Sequence, residues 1–149
     1  MVVTNNRENI SLASIDALSQ LEHGKDSIAF ILSKSKSILD GIKKEIRSLS
    51  KDLSRSNLID CSIKNILLIK CKSDKDIVNM INDCAPEHLV LLDDNFPRYI
   101  DSIENAGSVF CGKKSPVAFG DYASGTNHVL PTSGLSLIHI SEPTRPRII

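Results

Sequence analysis

The chain contains no tryptophan, and aromatic residues make up only 4% of its 149 positions. That is too little ring surface for a protein that stacks on nucleotide bases. Charge of either sign is not in excess: 18 Lys and Arg face 18 Asp and Glu, which removes the electrostatic footprint of a nucleic-acid or anionic-membrane binder. Apolar runs all fall short of the roughly 20 residues needed to cross a bilayer. The start, "MVVTNNRENI", lacks the basic-then-apolar order of a signal peptide. Cys61, Cys71, Cys84 and Cys111 form no C-x-x-C pair and are too sparse for a secreted disulfide scaffold, so they read as small hydrophobes of a reducing compartment. No G-x-G-x-x-G follows an apolar run, so the dinucleotide fingerprint is missing too. These absences leave a cytoplasmic protein whose partners are small molecules or other protein.

What is present is an ordinary globular balance, 41% hydrophobic and 24% charged, enough for one domain with a single buried core. Leu12, Ile15, Leu18 and Leu21 recur at helical spacing over 11–23, with Gly24 as a stop. "SIAFILS" (27–33) is an apolar run of strand length, and Ile38, Ile42, Ile46, Leu49 and Leu53 mark one face of a longer helix with a basic, solvated back. "IKNILLIK" (63–70) reads as a strand. Ser73 and Asp76 then open a helix that buries Ile77, Met80, Ile81 and Cys84 behind a capping box. "EHLVLL" (87–92), "NFPRYIDSIENAG" (95–107) and "SVFCG" (108–112) repeat strand, helix, strand. Such alternation predicts an α/β fold, Rossmann-like, with a largely parallel sheet, because parallel neighbours need a crossover. From about Lys113 a long loop rich in Gly, Ser, Asn and Pro follows, and long irregular segments in compact domains are more often functional than idle.

Three groupings carry possible chemistry. Gln20 and His23 sit three apart on one helical face, with Asp16 and Glu22 read as lying on other faces. Such a pair can share a metal ion, although on spacing alone a histidine near a helix end is more commonly a dipole-stabilised cap. "APEHL" sets Glu87 beside His88, two proton-transfer groups of different basicity. Adjacent strand residues face opposite sides, so the two work together if the turn at Pro86 lets both reach one cleft. "GDYASGTNHVLPT" concentrates Asp121, Tyr122, Asn127 and His128 in a loop whose glycines permit close backbone approach, and Asp121 is a candidate third ligand beside Gln20 and His23.

Taken together, "LSQLEHG", "APEHL", "NAGSVFCG" and "GDYASGTNHVLPTSG", in this order and at these intervals, closely resemble histidinol dehydrogenase, the zinc enzyme that finishes histidine biosynthesis. The resemblance runs from about residue 2 to 134. It implies oxidation of L-histidinol to L-histidine through an aldehyde, with two hydride transfers to NAD. It further implies Gln20, His23 and Asp121 as zinc ligands that also touch substrate, His88 as the base that takes the alcohol proton, and Glu87 as the activator of water. Tyr122 and His128 are implied as walls of the substrate pocket, and the parent enzyme as a homodimer.

The chain departs from that pattern at both ends. The family's cofactor-contacting region lies upstream of residue 1, so no NAD-binding residue is assigned, and its C-terminal segment, with a further zinc histidine donated across the dimer, is missing. "LSLIHISEPTR" resembles a translated sequencing adapter. Residues 135–149 are therefore expected to be a non-native, disordered tail, with 1–134 an incomplete part of the catalytic α/β region and, by itself, a poor catalyst. The alternative is a non-enzymatic zinc- or small-ligand-binding α/β module.

Overall fold

The computed structural model describes residues 1–22, 27–50, 63–113 and 147–148, with backbone alone at 22 and 147–148. In chain order these form β1 (Val2–Val3), a 3₁₀ turn (Arg7–Asn9), α1 (Ile10–Glu22), β2 (Ala29–Ser33), α2 (Lys36–Leu49), a second 3₁₀ turn (Ile63–Asn65), β3 (Ile66–Lys70), α3 (Asp74–Cys84), β4 (His88–Leu91), α4 (Pro97–Ile100), β5 (Ser108–Cys111) and β6 (Arg147–Ile148). The strands make one sheet in the order β3-β2-β1-β4-β5-β6, and every pairing is parallel. That is the strand order of doubly wound α/β folds, with the chain reversing direction across the sheet between β1 and β4.

Two cores lie on opposite faces of the sheet. Strand alternation sends Val2, Ile31, Val90 and Phe110 to the side of α1 and α2, and Val3, Leu32, Leu89, Leu91 and Val109 to the side of α3 and α4. Helix α2 buries Ile38, Leu39, Ile42 and Ile46 while Lys43, Lys44 and Arg47 stay exposed, as its pattern requires. Helix α3 starts from the capping box, with Ser73 accepting from the Asp76 N–H and the Asp76 carboxylate accepting from the Ser73 N–H. It buries Ile77 and Ile81 fully, and Met80 and Cys84 in part.

Two elements differ from their sequence pattern. In α1 the leucine stripe does not define the inner face: Leu12 and Ile15 are exposed, at 38% and 50%, whereas Ala13, Ala17, Leu18 and Leu21 are buried. Small residues win because α1 lies close to both the sheet and α2; a Cβ at Gly41 of α2 would stand 2.7 Å from Ile10 Cδ1. Residues 95–107 hold a single helical turn, α4. Beyond it the chain is stapled by Asn82, whose side chain accepts from the N–H groups of Glu104 and Asn105 and donates to the Ser102 carbonyl. Those bonds from α3 take the place of further helical ones. Of the cysteines, Cys71 is buried and Cys84 and Cys111 are half-buried, while Cys61, Gly24 and Leu53 lie outside the described residues.

At the carboxyl ends of β1 and β4 a buried polar cluster closes the crevice between them. The Asp93 carboxylate accepts from Thr4 Oγ1 at 2.8 Å, the Asn5 N–H at 2.6 Å and Asn9 Nδ2 at 3.2 Å. Asp93→Ala leaves those buried donors without their acceptor, and urea denaturation is expected to show a loss of roughly 3 kcal/mol. Ala85, the C-cap of α3, takes left-handed dihedrals (φ 43, ψ 60) immediately before Pro86, a position biased toward extended backbone. Ala85→Gly relieves that strain and is expected to raise stability by roughly 0.5–1 kcal/mol in the same assay.

Candidate active site

Gln20 lies in the last turns of α1, and His88 is the first residue of β4. Because α1 runs back antiparallel to the strands, its C-terminal end returns to the edge at which the strands begin. The two side chains, 68 residues apart in sequence, meet there: His88 Nδ1 stands 3.5 Å from Gln20 Oε1. In the tautomer that donates from Nδ1 to the amide oxygen, Nε2 is the ring's proton acceptor. Phe110 of β5 meets the His88 ring edge-on at a centroid distance of 6.0 Å, so the imidazole is held between an amide and an apolar wall.

The backbone under this group is fixed from both sides. Gly107 and Ser108 N–H groups donate to the carbonyls of Pro86 and Glu87, each at 2.9 Å, and the Met1 amino group donates to the His88 carbonyl at 2.6 Å. Successive carbonyls bonded to neighbouring strands hold a side chain more precisely than a loop does. Glu87 is half-buried in a bend just ahead of β4, so strict strand alternation does not govern it, and it shares the edge with His88.

Asp16 was missed as a neighbour of this group. Four residues before Gln20, it falls on the same stripe of α1. The placement of Asp16 on another face is thereby corrected. Asp16 is half-buried, and burial pushes the pKa of its carboxyl up to about 6 against the opposing pull of the Met1 ammonium. Burial likewise lowers the Met1 amino group to about 6, with Asp16 and Cys84 opposing. No hydrogen bond to the Asp16 carboxyl is found among the described residues. The signal available in sequence was the helical period itself.

His23, Asp121, Tyr122 and His128 lie outside the described residues. Among the described residues no group of three or more His, Cys, Asp and Glu side chains is placed to hold a metal ion. Gln20, the one described member of the expected ligand set, has its amide oxygen at the site beside the imidazole of His88 rather than sunk in the core. An amide oxygen, an imidazole and a carboxylate form a mixed donor set that suits zinc with positions left for substrate. The pair also stands at the amino ends of the strands. Ligands of doubly wound sheets ordinarily bind at the carboxyl ends, where the Asp93 cluster fills this one.

Comparison with known proteins agrees with the motifs. The family model described as histidinol dehydrogenase matches residues 1–141. A histidinol dehydrogenase of Schizosaccharomyces pombe is 43% identical over 136 residues, which cover 90% of this chain and 31% of that protein. One from Colwellia psychrerythraea is 38% identical over 138 residues, 93% of this chain and 32% of its own length. The crystal structure of histidinol dehydrogenase from Elizabethkingia anophelis superposes with a TM-score of 0.84 at 37% identity, over 89% of this chain and 31% of that one. The chain thus spans about a third of the length of the relatives it matches. Over that third, in sequence and in fold, the chain belongs to the histidinol dehydrogenase family.

Proposed function

We propose that this chain carries the zinc- and base-bearing part of an enzyme that oxidises L-histidinol to L-histidine through histidinaldehyde. The observation that carries the reading is the Gln20–His88 contact, which joins a candidate ligand to a candidate base across the sheet. When bound, zinc would hold the substrate's amine and imidazole as a template, and NAD would accept a hydride in each oxidation. Gln20, His23 and Asp121 are the residues proposed to hold the metal. A carbonyl oxygen has two lone pairs, so Gln20 Oε1 can serve a metal while still fixing the Nδ1 proton of His88.

His88 Nε2 then takes the hydroxyl proton as the alcohol becomes an aldehyde. Glu87 takes a proton from water as it adds to the aldehyde, and His88 repeats its role on the hydrate. Tyr122 and His128 are assigned to the substrate pocket. NAD is held by segments that the longer relatives possess and that this chain does not align with, and the working enzyme is proposed to be a cytoplasmic homodimer. Residues 135–149 stay outside this reading.

The test is a chimera in which residues 1–134 replace the matching third of a full-length relative. It is expected to reduce NAD with L-histidinol, and His88→Gln within it to lower kcat by about 10²–10⁴-fold. A folded, zinc-loaded chimera without turnover would refute the proposal. In the isolated chain, His23→Ala and Asp121→Ala are each expected to weaken zinc binding about tenfold or more in a chelator competition. That same chain is expected to show no NAD reduction, for hydride transfer needs the nicotinamide held against its target carbon.

A further inference from the structure

Every strand pairing in this sheet is parallel, and a parallel sheet is ordinarily buried on both faces. Across β2 and β3, helix α2 supplies that cover on one side. On the other side, strand alternation brings Ile28, Phe30, Leu67 and Ile69 together. Phe30 and Leu67 are partners in the β2–β3 register, while Ala29, Ile66 and Leu68 point to the core beneath α2. Phe30 and Ile69 are half-buried against the core beneath α3, but Ile28 and Leu67 are exposed, at 53% and 44%. Strand β3 is also the outermost strand, paired with β2 alone among the described residues. Exposed aliphatic side chains grouped at one end of a sheet mark a surface that another segment covers.

We propose that this patch is a docking surface for an amphipathic helix, apolar on one side and acidic at its margins, carried by the part of the enzyme that lies outside the matched third. The match covers 31–32% of the relatives' length, so about two thirds of such an enzyme remains to pack against this part. Lys64, Lys70 and Lys72 are exposed on and around β3, which favours carboxylates on the covering segment. The same lysines disfavour a second copy of this chain. In a two-fold pairing of β3 with itself, Lys64 falls opposite Lys70 when the axis passes Leu67, and opposite Lys72 when it passes Leu68; like charges so placed oppose the pairing. A helix fits better than an added strand because the exposed groups lie on a face of the sheet, the face on which α3 and α4 already pack. The patch faces away from the Gln20–His88 pair, since His88 alternates with Leu89 and lies on the α1 side, and its occupant is therefore independent of the chemistry proposed there.

The test uses the full-length chimera described above, labelled with hydroxyl radicals in its native state and read by mass spectrometry against an unfolded peptide of the same sequence. Ile77 and Ile81, fully buried in α3, give the rate of a covered aliphatic side chain. Ile28 and Leu67 are expected to label as slowly as those two, about tenfold or more below the peptide rate, and Leu67→Glu to lower the unfolding temperature of the chimera. Labelling near the peptide rate in a folded chimera would overturn the proposal, whether or not that chimera turns over L-histidinol, so this failure is distinct from failure of the proposed activity. In the 149-residue chain the same two residues are expected to label fast at every protein concentration. Slow labelling of the monomer would assign the cover to this chain itself, and protection that grows with concentration alongside a dimer mass would assign it to a second copy; either result overturns the proposal. Lys70→Glu separates the acidic margin from the apolar contact: it is expected to destabilise the chimera and leave the 149-residue chain unchanged, and an equal effect on both would overturn the acidic character of the partner.

Discussion

The parallel pairing of β1 with β4 is the constraint on which the rest of this molecule depends. Strand β1 is two residues long, yet it lies in the middle of the sheet and bonds to both neighbours. The Met1 amino group donates to the His88 carbonyl, the Val90 N–H to the Met1 carbonyl and the Leu92 N–H to the Val3 carbonyl. Just past the strands, the Asp93 carboxylate closes the ladder against Thr4, Asn5 and Asn9. A short strand holds this position because both of its faces are covered and its ends are pinned by polar groups. Since α1 hangs directly from β1, whatever fixes β1 beside β4 also fixes Gln20 beside His88.

The two edges of the sheet accordingly do different work. At the carboxyl edge, side chains satisfy one another: Asp93 with its three donors, and Lys34, Arg98 and Tyr99 gathered on Asp74. Those contacts tie the loops after β1, β2 and β4 to the start of α3 and to α4. At the amino edge, the polar groups are tied down through their backbones, and the Gln20 and His88 side chains meet. Rigid carbonyl anchoring behind Pro86, Glu87 and His88 is the arrangement expected where an imidazole must keep one orientation while protons move on and off it.

Local order was legible along the chain. The capping box at Ser73, the amphipathic period of α2 and the apolar runs of β2 to β5 follow from interactions between residues a few positions apart. The same reasoning went astray at α1, where the period pointed to Leu12 and Ile15. A helix wedged close to a sheet and another helix selects small residues for its inner face, a preference set by neighbours that are distant in sequence. It overreached again past Ile100, where contacts from Asn82 end the helix. Neither neighbour is visible in a window of a dozen residues.

By itself, then, the sequence determined the alternation of strands and helices, the balance of charge along the chain, the want of any described helix long and apolar enough to cross a membrane, and the identities of the chemical groups, with the long motifs naming the family. Tertiary structure alone decided that Gln20 meets the His88 ring, and that it does so at the amino ends of the strands. It also put Asp16 on the stripe of α1 that carries Gln20. The division has a physical cause. Hydrogen bonds and periodicities within an element are short-range and repeat, whereas a contact across 68 residues depends on the strand order, which is settled by packing of the whole sheet.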